Sequence, residues 1–285
     1  MTGVDTEPTA AAAPGRAGRN LPVAIGVGLA LGGLLLGTLY TYRPAFLVVV
    51  VAAVSVGLWE LVHSLRSAGP AAPFVPLAVG SAAMLCLAYV DGSEAMVVAG
   101  LLTAVAVVVW RLAGGPAHVL PDIAAALFAL LYVPFLTGFA ILLVVPADGA
   151  RRVTVFIATV VCSDVGGYAA GVLAGRHLMA PTISPKKSWE GFAGSTIACA
   201  TFGGLTVPFL LGGAVWQGVV FGLAMVCTAT LGDLGESMIK RDLGVKDMGR
   251  VLPGHGGLMD RLDSLLPSAP VAWLLLSAFV PHVHH

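Results

Sequence analysis

Asp233, Glu236, Ser237 and Lys240 recur at i, i+3, i+4 and i+7 in LGDLGESMIK, a spacing that puts two carboxylates, a hydroxyl and an ammonium on one face of a helix. Further along, Asp260 and Asp263 in MDRLDS repeat the i, i+3 relation. If that segment opens a helix, both carboxylates face one way while Arg261 points elsewhere. Hard cations such as Mg²⁺ take a few carboxylates together with substrate phosphates, which makes Asp233 with Asp260 a candidate metal pair from neighbouring helices. Spacing alone equally allows a charge-compensated network of salt bridges.

A second polar stretch, GRHLMAPTISPKKSWEG, has chemistry of the opposite sign. Pro181 and Pro185 hold the chain extended, and Lys186 and Lys187 present two ammonium groups beside Ser184 and Ser188, a set suited to phosphate oxygens. The plainer reading of the lysine pair is a positive loop flanking a membrane helix. Upstream, Asp164 lies in SDVGGYAAGVLAG, inside an apolar run where a carboxylate is costly and needs a reason. Ser163 and Tyr168 are its nearest polar neighbours in sequence, and Gly167, Gly171 and Gly175 make a smooth face for close helix contact. In PGHGG, His255, Gly256 and Gly257 form a loop whose amides are open to an anion or nucleotide. The remaining histidines have no ligand spacing, and Cys86, Cys162, Cys199 and Cys227 fall singly in apolar runs, as packing residues do.

The elements that position these groups follow from composition. The 285 residues are 58% hydrophobic and 11% charged, with a mean hydropathy of +0.93, and continuous apolar runs of about 20 residues recur along the chain. These features exclude a water-soluble domain and disfavour a β-barrel, whose strands would alternate. The expected fold is all-α, a polytopic transmembrane helical bundle of about nine spans at 22–41, 45–63, 73–90, 94–112, 121–146, 152–174, 191–211, 215–239 and 264–281. Pro134 interrupts the fifth, but halves of about 13 residues are too short to cross roughly 30 Å of hydrocarbon, so a single kinked helix is expected.

Residues 1–20 read as a disordered tail, 21–150 as N-terminal transmembrane helices, and 151–285 as a catalytic region with loops 175–190 and 240–263. With a cytoplasmic N-terminus, twelve of the fifteen Lys and Arg residues lie inside, and Arg43, Arg151 and Arg152 lie outside. Both polar loops then emerge on the cytoplasmic side and can share one site. The Arg151-Arg152 pair runs against this pattern.

The order S-x-I-K-R-x4-K-D-x-G-x2-L-P-x-H-G-G-L-x-D-R-L-D, from Ser237 to Asp263, resembles the signature of phosphatidate cytidylyltransferases, and SDVGGYAAGVLAGRH with SPKKSWEG resembles an upstream block of the same family. The resemblance covers roughly residues 155–265. It implies transfer of CMP from CTP to phosphatidate, giving CDP-diacylglycerol and pyrophosphate, with Mg²⁺ and room for a second, monovalent cation. It also implies metal binding by Asp233 and Asp260, supported by Asp263 and Asp164, and phosphate contacts from Lys186, Lys187, Lys240 and Arg241. Ser184, Ser237 and Arg261 join the substrate-binding set, and Lys246, Asp247 and the His255-Gly256-Gly257 loop close over the nucleotide. The implied partners are CTP, phosphatidate and membrane lipids, not nucleic acid, and the implied assembly is a homodimer in the cell (inner) membrane. An ion-coupled transporter would also use intramembrane carboxylates, but no inverted repeat is evident. A CDP-alcohol phosphotransferase would need a D-G-x2-A-R pattern that this chain lacks.

Overall fold

The computed structural model describes residues 21–249, 251–252 and 256–280. The expectations for the tail 1–20, for His255 and for the terminal histidines lie outside these residues. The chain folds as α1 (Leu21–Thr41), α2 (Arg43–Ser67), α3 (Phe74–Val90), α4 (Gly92–Leu112), α5 (Val119–Leu130), a π-helical turn (Leu131–Phe135), α6 (Leu136–Val144) and α7 (Gly149–Ala174). There follow a hairpin of β1 (Leu178–Ala180) and β2 (Ser184–Ser188), then α8 (Trp189–Leu211), α9 (Val215–Asp242), the short α10 (Met259–Leu262) and α11 (Leu265–Phe279). Among the described residues, seven helical segments are long and apolar enough to cross a membrane, and α3 and the later part of α1 are shorter apolar helices. The protein is a multi-pass helical bundle.

Each expected span coincides with helix, and Pro134, where a kinked single helix is expected, lies in a π-helical turn within one continuous crossing. Proline removes one ladder hydrogen bond and crowds the preceding turn, and here the strain is taken up in a π turn that leaves α5 and α6 as one continuous crossing. The departure from an all-helical plan is the hairpin, paired antiparallel with Leu178 opposite Ser188 and Ala180 opposite Ser184. Pro185 lies in β2 as its extended backbone requires, whereas Pro181, expected to be extended, opens the turn between the strands.

Lipid gives helices no hydrophobic drive to associate, so close packing has to do it. Gly166, Gly167 and Gly194 let α7 and α8 approach until a Cβ on Gly194 would sit 2.7 Å from Gly166 O. Ser195 Oγ then donates to the Ser163 carbonyl at 2.6 Å. Gly203 and Gly218 make the same approach between α8 and α9, and α11 packs on α9 and α6.

All three arginines opposite the polar loops serve helix ends. Arg43 donates to the carbonyls of Val144, Pro146 and Ala147 beyond α6, Arg151 to Leu210 of α8, and the fully buried Arg152 to Leu276 and Val280 of α11 while pairing with Asp148 at 2.8 Å. Cations at the C-terminal carbonyls of helices satisfy orphan acceptors and the helix dipole. The apparent exception to the charge pattern is therefore structural.

Candidate active site

α7 and α8 run antiparallel and are joined by the hairpin, so the polar segment 175–190 caps the end of the bundle at which α9 finishes. The hairpin is fixed at its base. Glu190, in the first turn of α8, accepts from the amides of Arg176 and His177 at 3.1 and 3.2 Å and meets His177 Nδ1 at 2.5 Å. Ser188 caps the same helix by accepting from Gly191 N at 3.1 Å.

Held in this way, the hairpin delivers Lys187 to α9, where its Nζ lies 2.6 Å from Asp233 Oδ2. Around that pair is an open cleft of about 310 Å³ lined by Asp164, Ser184, Lys186, Lys187 and Asp233, with Ser163, Tyr168, Ser195, Thr230 and Ser264 completing the polar lining. Two segments far apart in sequence thus form one site, as their shared end of the bundle requires. Gly232 brings α9 so near the chain at Asp263 that a Cβ would sit 2.9 Å from Pro267 Cγ. Asp164 is exposed to the cleft. Among the described residues it has no hydrogen bond from the Ser163 or Tyr168 hydroxyl, and Tyr168 is exposed.

Beside the cleft lies a second network centred on Lys240, whose Nζ contacts Glu236 Oε2 at 2.8 Å and Asp260 Oδ1 at 2.9 Å. Asp260 also accepts from Met248 N and from Gly257 N, each at 3.1 Å, so both of its oxygens are engaged. Asp263 accepts from Ser264 N at 2.6 Å and lies within electrostatic reach of Asp164, Asp233 and Glu236. Ser237 Oγ sits 3.5 Å from Asp233 Oδ1. Arg241, Lys246, Asp247 and Arg261 are exposed and line no part of the cleft. A Cβ at Gly256, whose φ is +85°, would fall 3.7 Å from Asp247 Oδ1. The salt-bridge reading of the sequence therefore holds for Lys240 with Glu236 and Asp260, and Asp233 pairs with Lys187 rather than standing beside Asp260.

The donor chemistry suits a hard cation. Neither Asp164 nor Asp263 has a lysine or arginine within ion-pair distance among the described residues, and Asp263 lies against the carboxyl of the fully buried Glu236. Lys187, Arg261 and Lys240 lie within electrostatic reach of these acids, and a bound cation would add to that compensation. Among the described residues no three carboxylate, imidazole or thiolate groups converge as a closed cage. Mg²⁺ does not need one, because it is bound by one or two carboxylates and completes its shell with water and substrate phosphates.

Two groups in the N-terminal half escape motif reading. Glu60 of α2 is 1% exposed and accepts from Met259 N at 2.9 Å. A lone carboxylate in VGLWELVHSL was the available signal, since intramembrane ionisable groups are functional by default. Tyr132, on the π turn, buries its hydroxyl without a partner, and π turns recur at functional sites.

The model of the Cytidylyltransferase family matches residues 22–279. A phosphatidate cytidylyltransferase of Mycobacterium leprae is 46% identical over 278 residues, covering 92% of this chain and 89% of the relative. One of Mycobacterium bovis is 44% identical over 275 residues, covering 92% and 90%. A Staphylococcus saprophyticus protein of the same name is 37% identical over 161 residues, covering 54% and 59%. The match spans both halves of the bundle, including α2 as well as the polar loops, and the chain belongs to the cytidylyltransferase family.

Proposed function

We propose that this chain is a phosphatidate cytidylyltransferase, transferring CMP from CTP to phosphatidate to give CDP-diacylglycerol and pyrophosphate. The observation that carries the reading is the cleft in which Lys187 and Lys186 of the hairpin face Asp233 and Asp164 across the end of a membrane bundle, with Asp263 within electrostatic reach of both acids. Cationic side chains and a carboxylate cluster side by side suit two phosphate-bearing substrates and a cation.

In the reaction a phosphate oxygen of the lipid attacks the α-phosphorus of CTP. The new P–O bond forms as the bond to the bridging oxygen breaks, and pyrophosphate leaves with that electron pair. The attacking phosphate monoester has a second pKa near 6, so it needs no general base at neutral pH. Protein groups position the anions and neutralise charge. Lys186 and Lys187 take phosphate oxygens, with Ser184 as a neutral donor beside them. Asp233 lines the cleft and Asp263 lies within its electrostatic reach, and these are the residues that would hold Mg²⁺, which when bound would supply charge neutralisation between the phosphates. Asp260 orients Lys240 and the segment 248–257, and Glu236 holds Lys240 from the other side. Lys246, Asp247, Arg241 and Arg261 belong to the surface over which the triphosphate arrives.

The family likeness supports a second, monovalent cation and a homodimer. The arginine and lysine distribution supports a cytoplasmic face for the cleft in the cell membrane. A position at the end of the bundle lets the lipid phosphate reach the cleft without leaving the leaflet. The test uses purified protein, phosphatidate and CTP labelled at either the α- or the γ-phosphate. α-Label is expected in a chloroform-soluble CDP-lipid and γ-label in pyrophosphate. γ-Label in the lipid, or label in neither product, would overturn the reading.

A further inference from the structure

Resting on the cytidylyltransferase reading, we propose that Glu60 and Ser64 of α2 are positioning residues for the reaction: they hold the backbone at Met248 and Met259 against α2 and so set the position of Asp260 and, through it, of Lys240. The two side chains lie four residues apart, on one face of a helix. Ser64 Oγ donates to the Met248 carbonyl at 2.9 Å, and Glu60 Oε2 accepts from Met259 N at 2.9 Å. One contact holds the backbone at Met248 and the other at Met259.

The clamp joins the site directly. The Met248 peptide is held from both sides, its carbonyl by Ser64 and its amide by Asp260 at 3.1 Å. Gly257 lies between the two carboxylates: its amide donates to Asp260, and a Cβ there would meet Asp260 Oδ2 at 2.7 Å and Glu60 Oε2 at 2.9 Å. A Cβ at Gly249 would collide with the Glu60 carboxylate. Both glycines are required because the loop passes so close to Glu60. Glu60 touches none of the cleft-lining groups and acts through Asp260 and the loop. A fully buried carboxylate in a membrane helix is expensive, and the Met259 amide that donates to Oε2 offsets part of its desolvation.

Disruption of the clamp has a distinct kinetic and dynamic signature. Glu60→Gln keeps the shape but places an amide NH₂ where backbone donors converge, and Ser64→Ala removes one hydrogen bond. The experiment uses the full chain in nanodiscs and reads two quantities for each variant. The first is amide hydrogen exchange across residues 246–258 without substrate, and the second is kcat and KM for CTP per folded protein. The expected result is faster exchange in that segment for both variants. Expected with it is a roughly 10- to 100-fold loss of kcat/KM for CTP in Glu60→Gln, with a smaller loss of about 3- to 10-fold in Ser64→Ala. KM for phosphatidate should be unchanged. A merely structural role would lower the amount of folded protein and leave KM for CTP and the exchange of 246–258 at parental values, and that result would overturn the proposal. If Glu60→Gln does not fold, Ser64→Ala carries the test with the same two outcomes. The exchange measurement needs no nucleotide, so faster exchange with no cytidylyltransferase activity in the parent protein would sink the activity reading and keep the clamp. Unchanged exchange in an active enzyme would do the reverse.

Discussion

Lys187 Nζ and Asp233 Oδ2 stand 2.6 Å apart, tying the hairpin between α7 and α8 to the end of α9. The pair is partly exposed, with side-chain exposures of 24% and 35%, so it contributes at most about 1 kcal/mol to stability. Its lysine faces the cleft where two polyanions must meet. Lys187→Ala should therefore lower kcat/KM by roughly 10²-fold or more, corresponding to about 2.7 kcal/mol or more of lost transition-state stabilisation. The melting temperature should scarcely move. Steady-state rates and a thermal melt on the same preparation decide the matter, and a parental rate would remove Lys187 from the site.

Asp260 and Asp263 are three residues apart but differently employed. Asp260 is saturated by Lys240 and two backbone amides, whereas Asp263 Oδ1 takes one amide and its carboxylate meets the other acids. Asp263→Asn should raise the Mg²⁺ concentration for half-maximal rate by about 10-fold or more, since a ligand lost from the cation is regained by mass action. Asp260→Asn should lower kcat and cost about 1–3 kcal/mol of stability, with little change in the Mg²⁺ requirement. Rates titrated against Mg²⁺ separate the two, and identical Mg²⁺ curves for both variants would contradict this division.

Much of this arrangement is legible in the sequence, for physical reasons. Among the described residues the seven long apolar helices and the two shorter ones follow from apolar length, and Asp233, Glu236 and Lys240 share a face because helical spacing dictates it. What spacing cannot supply is partner choice between helices. Asp260 was expected on a cation with Asp233, and the fold instead gives it Lys240 and the amides of Met248 and Gly257, which lie against α10. The hairpin is hidden in a segment whose prolines announce extension but not pairing. Glu60 is invisible to motif reading because its partners, Met259 and the 249–257 segment, lie about 190 residues away. Arg151 and Arg152 misled the charge count because one caps and one is buried.

The glycines of α7 and α8 should be sensitive to the smallest enlargement. A Cβ on Gly194 would overlap the Ala170 methyl and lie 2.7 Å from Gly166 O. Gly194→Ala should push the helices apart, break the Ser195–Ser163 hydrogen bond and cost about 1–3 kcal/mol. A melt of the variant in detergent that matches the parent would show that the close approach is not maintained.

The two polar segments should react from one side of the membrane. On a background lacking Cys86, Cys162, Cys199 and Cys227, single cysteines at the exposed positions Thr182 and Asp242 should label from the cytoplasmic side. A cysteine at Trp216, at the opposite end of α9, should label from the other. Labelling of 182 and 242 from opposite sides would break the shared cleft.

The central claim is that nucleotidyl transfer takes place in the cleft between the hairpin and α9 with Mg²⁺ held by its carboxylates. It is tested most directly by α-labelled CTP and phosphatidate given to the parent protein and to Asp233→Asn, each with Mg²⁺ and with excess chelator. The account predicts label in CDP-diacylglycerol from the parent with Mg²⁺ only, and a rate at least about 10²-fold lower from folded Asp233→Asn. Full turnover in chelator, or a near-parental rate from Asp233→Asn, would contradict it.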